Sequence, residues 1–217
     1  MGEGYNGSES RRRSPWGVIA LVMLTGIALM KNGVDVSLGP PQPAAAASLA
    51  RPDGETFAPL VPPKALAFAP AERVRIPSIE IDAPLMNVGL DPDGWIEAPP
   101  AEDRNIAGWY QNGVAPGQRG TAIIVGHVDN LSGPAVFYGL GSITKGERVE
   151  VPRFDGKTAL FEVYGVEVFD KDDFPAAQVY GDTGHAELRV ITCGGGYSKS
   201  DGYDGNVVVF ARLVDSR

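Results

Sequence analysis

Residues 187–213 read ELRVITCGGGYSKSDGYDGNVVVFARL, and this stretch decides the fold. From Glu187 to Cys193 the side chains alternate. Arg189, Ile191 and Cys193 share one face, and Leu188, Val190 and Thr192 share the other, which is the two-residue period of a β-strand. On this reading the strand ends at Cys193, where the chain passes into Gly194-Gly195-Gly196. After a polar, glycine-containing turn, Val207 to Ala211 is apolar without alternation, as in a strand buried on both faces.

The same grammar extends back to Arg73: short apolar runs separated by Gly, Pro and Asp. Strands are expected at Arg73–Ile76, Ile79–Ile81, Leu85–Gly89, Thr121–Val125, Arg148–Val151, Ala159–Phe169, Glu187–Cys193 and Val207–Leu213. Within Ala159–Phe169 the alternation changes phase at Gly165, which predicts a β-bulge. Short helices are expected near Ala101–Ile106 and Pro175–Val179. Eight strands in such a length suit an all-β, eight-stranded closed barrel, which leaves no sticky edge.

Upstream of Arg73 the composition is different. Residues 1–15 include Arg11, Arg12 and Arg13, and residues 16–31 are an apolar run closed by Lys31. Positive charge before an apolar stretch holds the N-terminus in the cytoplasm and exports the chain beyond that stretch. The expectation is a transmembrane signal anchor at 16–31, the alternative being a cleaved signal peptide. Residues 32–71, rich in Pro and Ala, then form an extended linker, and 72–217 the folded domain, held outside the membrane. The net charge of −8 lies wholly on the domain side of this boundary and excludes a nucleic-acid surface.

The chain has one cysteine and two histidines. A single thiol in an exported domain is either a buried small hydrophobe or a reactive group. Cys193, between a rigid strand and a glycine run, has the support behind and open space in front that a nucleophile needs. A thiol near neutral pH needs a neighbouring base. His127 follows the strand Thr121–Val125 in Gly126-His127-Val128-Asp129, so it is either that base or a hydrogen-bonded structural residue. His185, in a polar loop, reads as exposed. This set lacks metal-ligand spacing, and no glycine-rich loop opens a helix as a nucleotide site requires. No metal or cofactor is implied.

Leu188-Arg189-Val190-Ile191-Thr192-Cys193 resembles the signature of the sortases, in which a strand ends in Thr-x-Thr-Cys or a close variant. Gly126-His127-Val128-Asp129 with Gly133-Pro134-Ala135-Val136-Phe137-Tyr138 resembles the histidine segment of actinobacterial class E/F sortases. Gly108-Trp109-Tyr110 with Pro116-Gly117, Val179-Tyr180-Gly181 and Asn206-Val207-Val208-Val209-Phe210-Ala211 match as well, so the resemblance covers Arg73 to Leu213. It implies an eight-stranded sortase barrel, a Cys193 nucleophile and a His127 acid/base. The implied substrate is an LPXTG-like sorting signal of a surface protein, cut at the Thr–Gly bond. The implied acceptor is an amine from a peptidoglycan precursor or a pilin.

The family also uses an arginine after the cysteine to hold substrate and oxyanion. Between Gly194 and Val209 the only cation is Lys199, and Asp204 stands where relatives often carry that arginine. Arg119 and Arg212 lie too far along their strands. Asn206 is therefore the first candidate for the oxyanion site, and Arg104, in the segment before Gly108, the second. Two rival functions remain: an inactive sortase-like barrel used as a binding module, and an L,D-transpeptidase-type cysteine enzyme.

Overall fold

The computed structural model describes residues 39–49 and 63–217. The apolar run at 16–31, expected as a membrane anchor, lies outside the described residues. Among the described residues no helix is long and apolar enough to cross a membrane.

Eight strands close into a barrel in the order β1-β2-β3-β4-β9-β10-β8-β7. They are β1 (Arg73–Ile76), β2 (Ile81–Val88), β3 (Ala107–Tyr110), β4 (Gly120–Val125), β7 (Arg148–Pro152), β8 (Thr158–Asp170), β9 (Ala186–Ser198) and β10 (Gly202–Ser216). A separate two-stranded ribbon, β5 (Asp129–Asn130) with β6 (Gly133–Pro134), stands beside it. The barrel closes through one bridge between β1 and β7, Arg75 opposite Glu150.

The eight-strand count holds with a changed membership. The expected strands Ile79–Ile81 and Leu85–Gly89 are one strand, β2, with Pro84 inside it; Ile79 belongs to a preceding 3-10 turn. Proline fits because β2 changes partner there, pairing antiparallel with β1 up to Pro84 and parallel with β3 from Leu85. The eighth strand is β3, which the sequence hides because it is four residues long and contains Gly108. A Cβ at Gly108 would meet Val88 Cγ1 at 2.7 Å, so the close approach of β2 requires glycine. The helix expected at Ala101–Ile106 is absent. Its backbone is drawn into turns instead: Asp103 accepts from the Asn105 N–H and the Ala101 carbonyl accepts from Asn130. The second expected helix is present as α1 (Ala176–Tyr180).

The alternation in β9 maps onto two apolar layers. Leu188 and Val190 point inward with Val207, Val209, Ile124 and Phe161, all buried. Ile191 points outward with Ile123, Val208 and Phe210, beneath Val179 of α1. Each such side chain contributes roughly 1.5–3 kcal/mol on full burial. Val207–Ala211 lacks alternation because both layers need apolar partners from it. The bulge also falls where the phase slips: Phe210 pairs with Gly165 and Ala211 with Val163, leaving Tyr164 extra.

The outer layer holds a buried ion pair. Arg189, 1% exposed, donates to Glu187 Oε2 at 2.6 Å and to the Val179 carbonyl at 3.1 Å, and lies 4.4 Å from the Phe210 ring centroid. Tyr164 donates its hydroxyl to the same carboxylate at 2.8 Å. Burial, ahead of any charge effect, pushes the Tyr164 phenol far above its ordinary range. These bonds fasten α1 to the barrel wall.

The described parts of 32–71 are not a free spacer. Ala47 is buried in the inner core, Ser48 Oγ donates to Glu167 at 2.6 Å, and the Leu49 side chain fills the space over Gly165. Further on, Arg153, 1% exposed, donates to the carbonyls of Ala67 and Pro116 and pairs with Asp155 at 3.0 Å. A buried guanidinium demands such partners, and the linker supplies one of them.

Candidate active site

β4 and β9 run parallel from Gly120 opposite Ala186 to Val125 opposite Ile191, and the Gly126 N–H extends the ladder with a 3.1 Å bond to the Ile191 carbonyl. There the two strands part. β4 turns away carrying His127, while β9 continues with Cys193, paired with β10 on its remaining side. Cys193 is therefore not at a strand end, as expected from the sequence, but inside one. What ends beside it is the neighbouring strand. The glycines form strand rather than free loop, because β10 supplies partners as far as Ser198 opposite Gly202. Gly195 sits at a φ of 85°, a backbone conformation that favours glycine, and the Asp204 carboxylate lies over Gly195 and Gly196.

Cys193, His127 and Asn206 line one cleft of 540 Å³, walled by Trp95, Ile96, Phe174 and Tyr180. Cys193 and His127 are each half-buried. Asn206 lies directly opposite Cys193 in the β9–β10 ladder. Side chains of directly paired residues project from the same face with Cβ atoms about 4.5–5.5 Å apart. A second cleft, of 380 Å³, shares Trp95, Ile96 and Tyr180 with the first and continues along the outer face of β4 past Ile123 to Arg119. Together they form an apolar groove with Cys193 towards one end.

His127 Nε2 lies 2.7 Å from the Pro99 carbonyl oxygen. A carbonyl only accepts, so Nε2 carries the hydrogen and Nδ1 is the nitrogen left to exchange a proton. The loop behind it is tied down by the Phe137 N–H on the His127 carbonyl and the Ala135 N–H on the Val128 carbonyl, both at 3.0 Å. The loop is also joined to the cysteine hairpin, because the Tyr203 hydroxyl donates to Asp129 Oδ2 at 2.6 Å. Burial first, and the Asp129 carboxylate second, push the Tyr203 phenol above its ordinary range, so it stays a donor. Next to Cys193, Thr192 Oγ1 is buried without a hydrogen-bond partner among the described residues.

The remaining sequence candidate lies elsewhere. Arg104 is exposed, with Nε and a terminal nitrogen donating to the Pro134 carbonyl at 3.0 and 2.7 Å, and it does not line the Cys193 cleft. His185 is exposed, as expected. Sequence reasoning missed Lys171, which does line the cleft, and the Tyr203–Asp129 tie. Lys171 opens the polar run Lys171-Asp172-Asp173, which reads as a solvated turn, and nothing local to Tyr203 names Asp129 as its partner.

A cysteine strand flanked by a parallel histidine strand at the rim of a closed eight-stranded barrel is the architecture of a cysteine transpeptidase. The sortase domain family model matches residues 74–214, and the chain belongs to the sortase family. The fold is shared with the sortase A of Listeria monocytogenes (16% identity, TM-score 0.51, covering 69% of this chain and 90% of that one). It is shared also with the SrtA sortase of Actinomyces oris (16%, 0.51, covering 71% and 85%) and with a lid mutant of Corynebacterium diphtheriae sortase A (22%, 0.52, covering 69% and 73%). Among curated proteins none matches this chain closely enough to name as a relative.

Proposed function

We propose that this sortase is a membrane-anchored, extracytoplasmic enzyme that cuts an LPXTG-like sorting signal with Cys193 and passes the acyl group to a cell-envelope amine. The observation that carries the reading is the shared cleft: the chain's only cysteine, a histidine with one nitrogen free, and Asn206 all line it. The groove along β4 supports a peptide substrate, since its apolar walls suit an extended chain on the acyl side of the scissile bond. The anchor rests on the arginine-flanked apolar run at 16–31.

In this mechanism the Cys193 proton passes to His127 Nδ1 and the sulfur attacks the threonyl carbonyl carbon. A C–S bond forms and the carbonyl electron pair moves onto oxygen. Collapse of this adduct breaks the C–N bond, and the leaving amine takes the proton from the imidazolium. The acceptor amine, from a peptidoglycan precursor or a pilin, then attacks the thioester and gives its proton to His127. Expulsion of the sulfur, reprotonated in turn, restores the enzyme. Asn206, facing the same side as Cys193, offers uncharged N–H donors to the oxyanion.

Replacing Cys193 by Ala, or His127 by Ala, is expected to abolish peptide transfer while the thermal transition stays intact. Near-wild-type turnover in either variant would remove the assignment. Cell fractionation tests the anchor: the full chain should sediment with membranes and be open to external protease. A trimmed protein free in the medium would show a cleaved signal instead.

A further inference from the structure

We propose that Lys171 supplies the positive charge for the oxyanion formed on Cys193, from β8's end rather than from the strand after the cysteine. The inference rests on Cys193 being the nucleophile. The tetrahedral adduct carries a full negative charge, and a fixed cation or donor aimed at it is usually the largest single contribution to such catalysis. Between Cys193 and Arg212 the chain offers only Lys199, at the exposed tip of the β9–β10 hairpin. Arg104 is committed to the Pro134 carbonyl outside the cleft. Of the residues lining the cleft, Lys171 alone carries a permanent positive charge.

The strand register brings it within reach. Cys193, Asn206 and Phe169 form one row across β9, β10 and β8. Asp170 pairs with Gly205, and the Lys171 N–H extends that ladder with a 2.9 Å bond to the Asp204 carbonyl. Lys171 is thus two strands across from Cys193 and two residues along. At about 4.8 Å between strands and about 3.3 Å per residue, the two Cα atoms are roughly 12 Å apart. The four methylenes of the lysine and the length of the cysteine adduct span that gap together. Lys171 Nζ donates to the Tyr203 carbonyl at 2.5 Å, which steadies the ammonium and leaves two N–H groups for a ligand. Asp204 and Lys171 are therefore neighbours: the hairpin carries the acid, and the adjoining strand end carries the base. Asn206 and Lys171 would flank the oxyanion, one with uncharged donors and the other with charge.

Lys199, exposed at the hairpin tip and outside the cleft, serves as the control. In the full chain, Lys171→Met is expected to lower kcat for peptide transfer by about tenfold to hundredfold, a little less than loss of an enclosed oxyanion donor because Lys171 is exposed. KM should move little. Alkylation of Cys193 by iodoacetamide forms no oxyanion and should keep its wild-type rate. Lys171→Arg should restore most of the lost kcat, and Lys199→Met should leave activity unchanged. The proposal is overturned if Lys171→Met keeps more than half of the wild-type kcat, if alkylation falls in parallel with kcat, or if Arg fails to rescue. Cys193→Ala, measured alongside, separates the two readings. An active Cys193→Ala defeats the nucleophile assignment, whereas an inactive one beside an active Lys171→Met defeats only the role of Lys171.

Discussion

The lower and upper halves of the β9–β10 hairpin differ in what lies on either side of them. From Glu187 to Ile191 the hairpin is enclosed, with β4 pairing on one flank and β8 on the other. Both of its faces are buried there, one in the barrel core and one beneath α1. From Cys193 onward β4 has departed, β8 ends at Asp170, and the faces open to the groove. The lower half is held by burial and the upper half by a few polar ties. The reactive groups sit one step beyond the enclosed region, where the backbone is still aligned by strand pairing but the side chains can meet a substrate.

The largest test of this contrast is Phe210→Ala in the enclosed half. Removing an aromatic that touches Arg189, Tyr164 and Phe169 is expected to cost about 3–5 kcal/mol. Urea unfolding should show it, with activity per folded molecule nearly unchanged. A chain beginning at Glu72, the domain boundary expected from the sequence, should lose stability against one beginning at Gly39. It lacks Ala47, Leu49 and the Ala67 carbonyl that receives Arg153, and an orphaned buried donor alone costs about 1–3 kcal/mol. Equal urea midpoints for the two chains would show that the segment merely lies on the barrel.

In the open half the balance should reverse. Tyr203→Phe removes one hydrogen bond, worth about 0.5–1.5 kcal/mol. It should lower kcat by roughly tenfold, because the cysteine hairpin and histidine loop lose their direct tie and small misplacements are expensive in rate. Asp129→Asn, combined with it, should add little; additive losses would mean that the two residues act separately. Thr192→Val replaces an unpartnered buried hydroxyl by an isostere, so stability should stay level or rise by up to about 1 kcal/mol.

The smallest effect is one of pH. The Arg153 hydrogen bond, first among its causes, holds the Asp155 carboxyl below the usual carboxylate range. A depressed folded-state value means that the stabilisation is present above the ordinary aspartate value of about 3.9 and is lost as pH falls below it. Urea midpoints between pH 5 and 2.5 should decline less steeply in Asp155→Asn. The difference should be modest, since Asp155 is about one-third exposed.

The sequence by itself determined the all-β class, the two-layer burial of the final strand, the bulge at Gly165 and the two reactive residue types. Each of these is written in local periodicity or in residue scarcity, with one cysteine and two histidines leaving few assignments. Three features were decided only by the tertiary structure. β3 and the single long β2 are set by partner exchange at Pro84, which no local pattern announces. The 39–49 segment is seated by Gly165 and Glu167, more than a hundred residues further along the chain. Above all, His127, Cys193, Asn206 and Lys171 meet because β4 pairs with β9, β9 with β10, and β10 with β8. Pairing between distant strands is a choice of partner and register made by the whole barrel at once, and a strand's own sequence does not carry it.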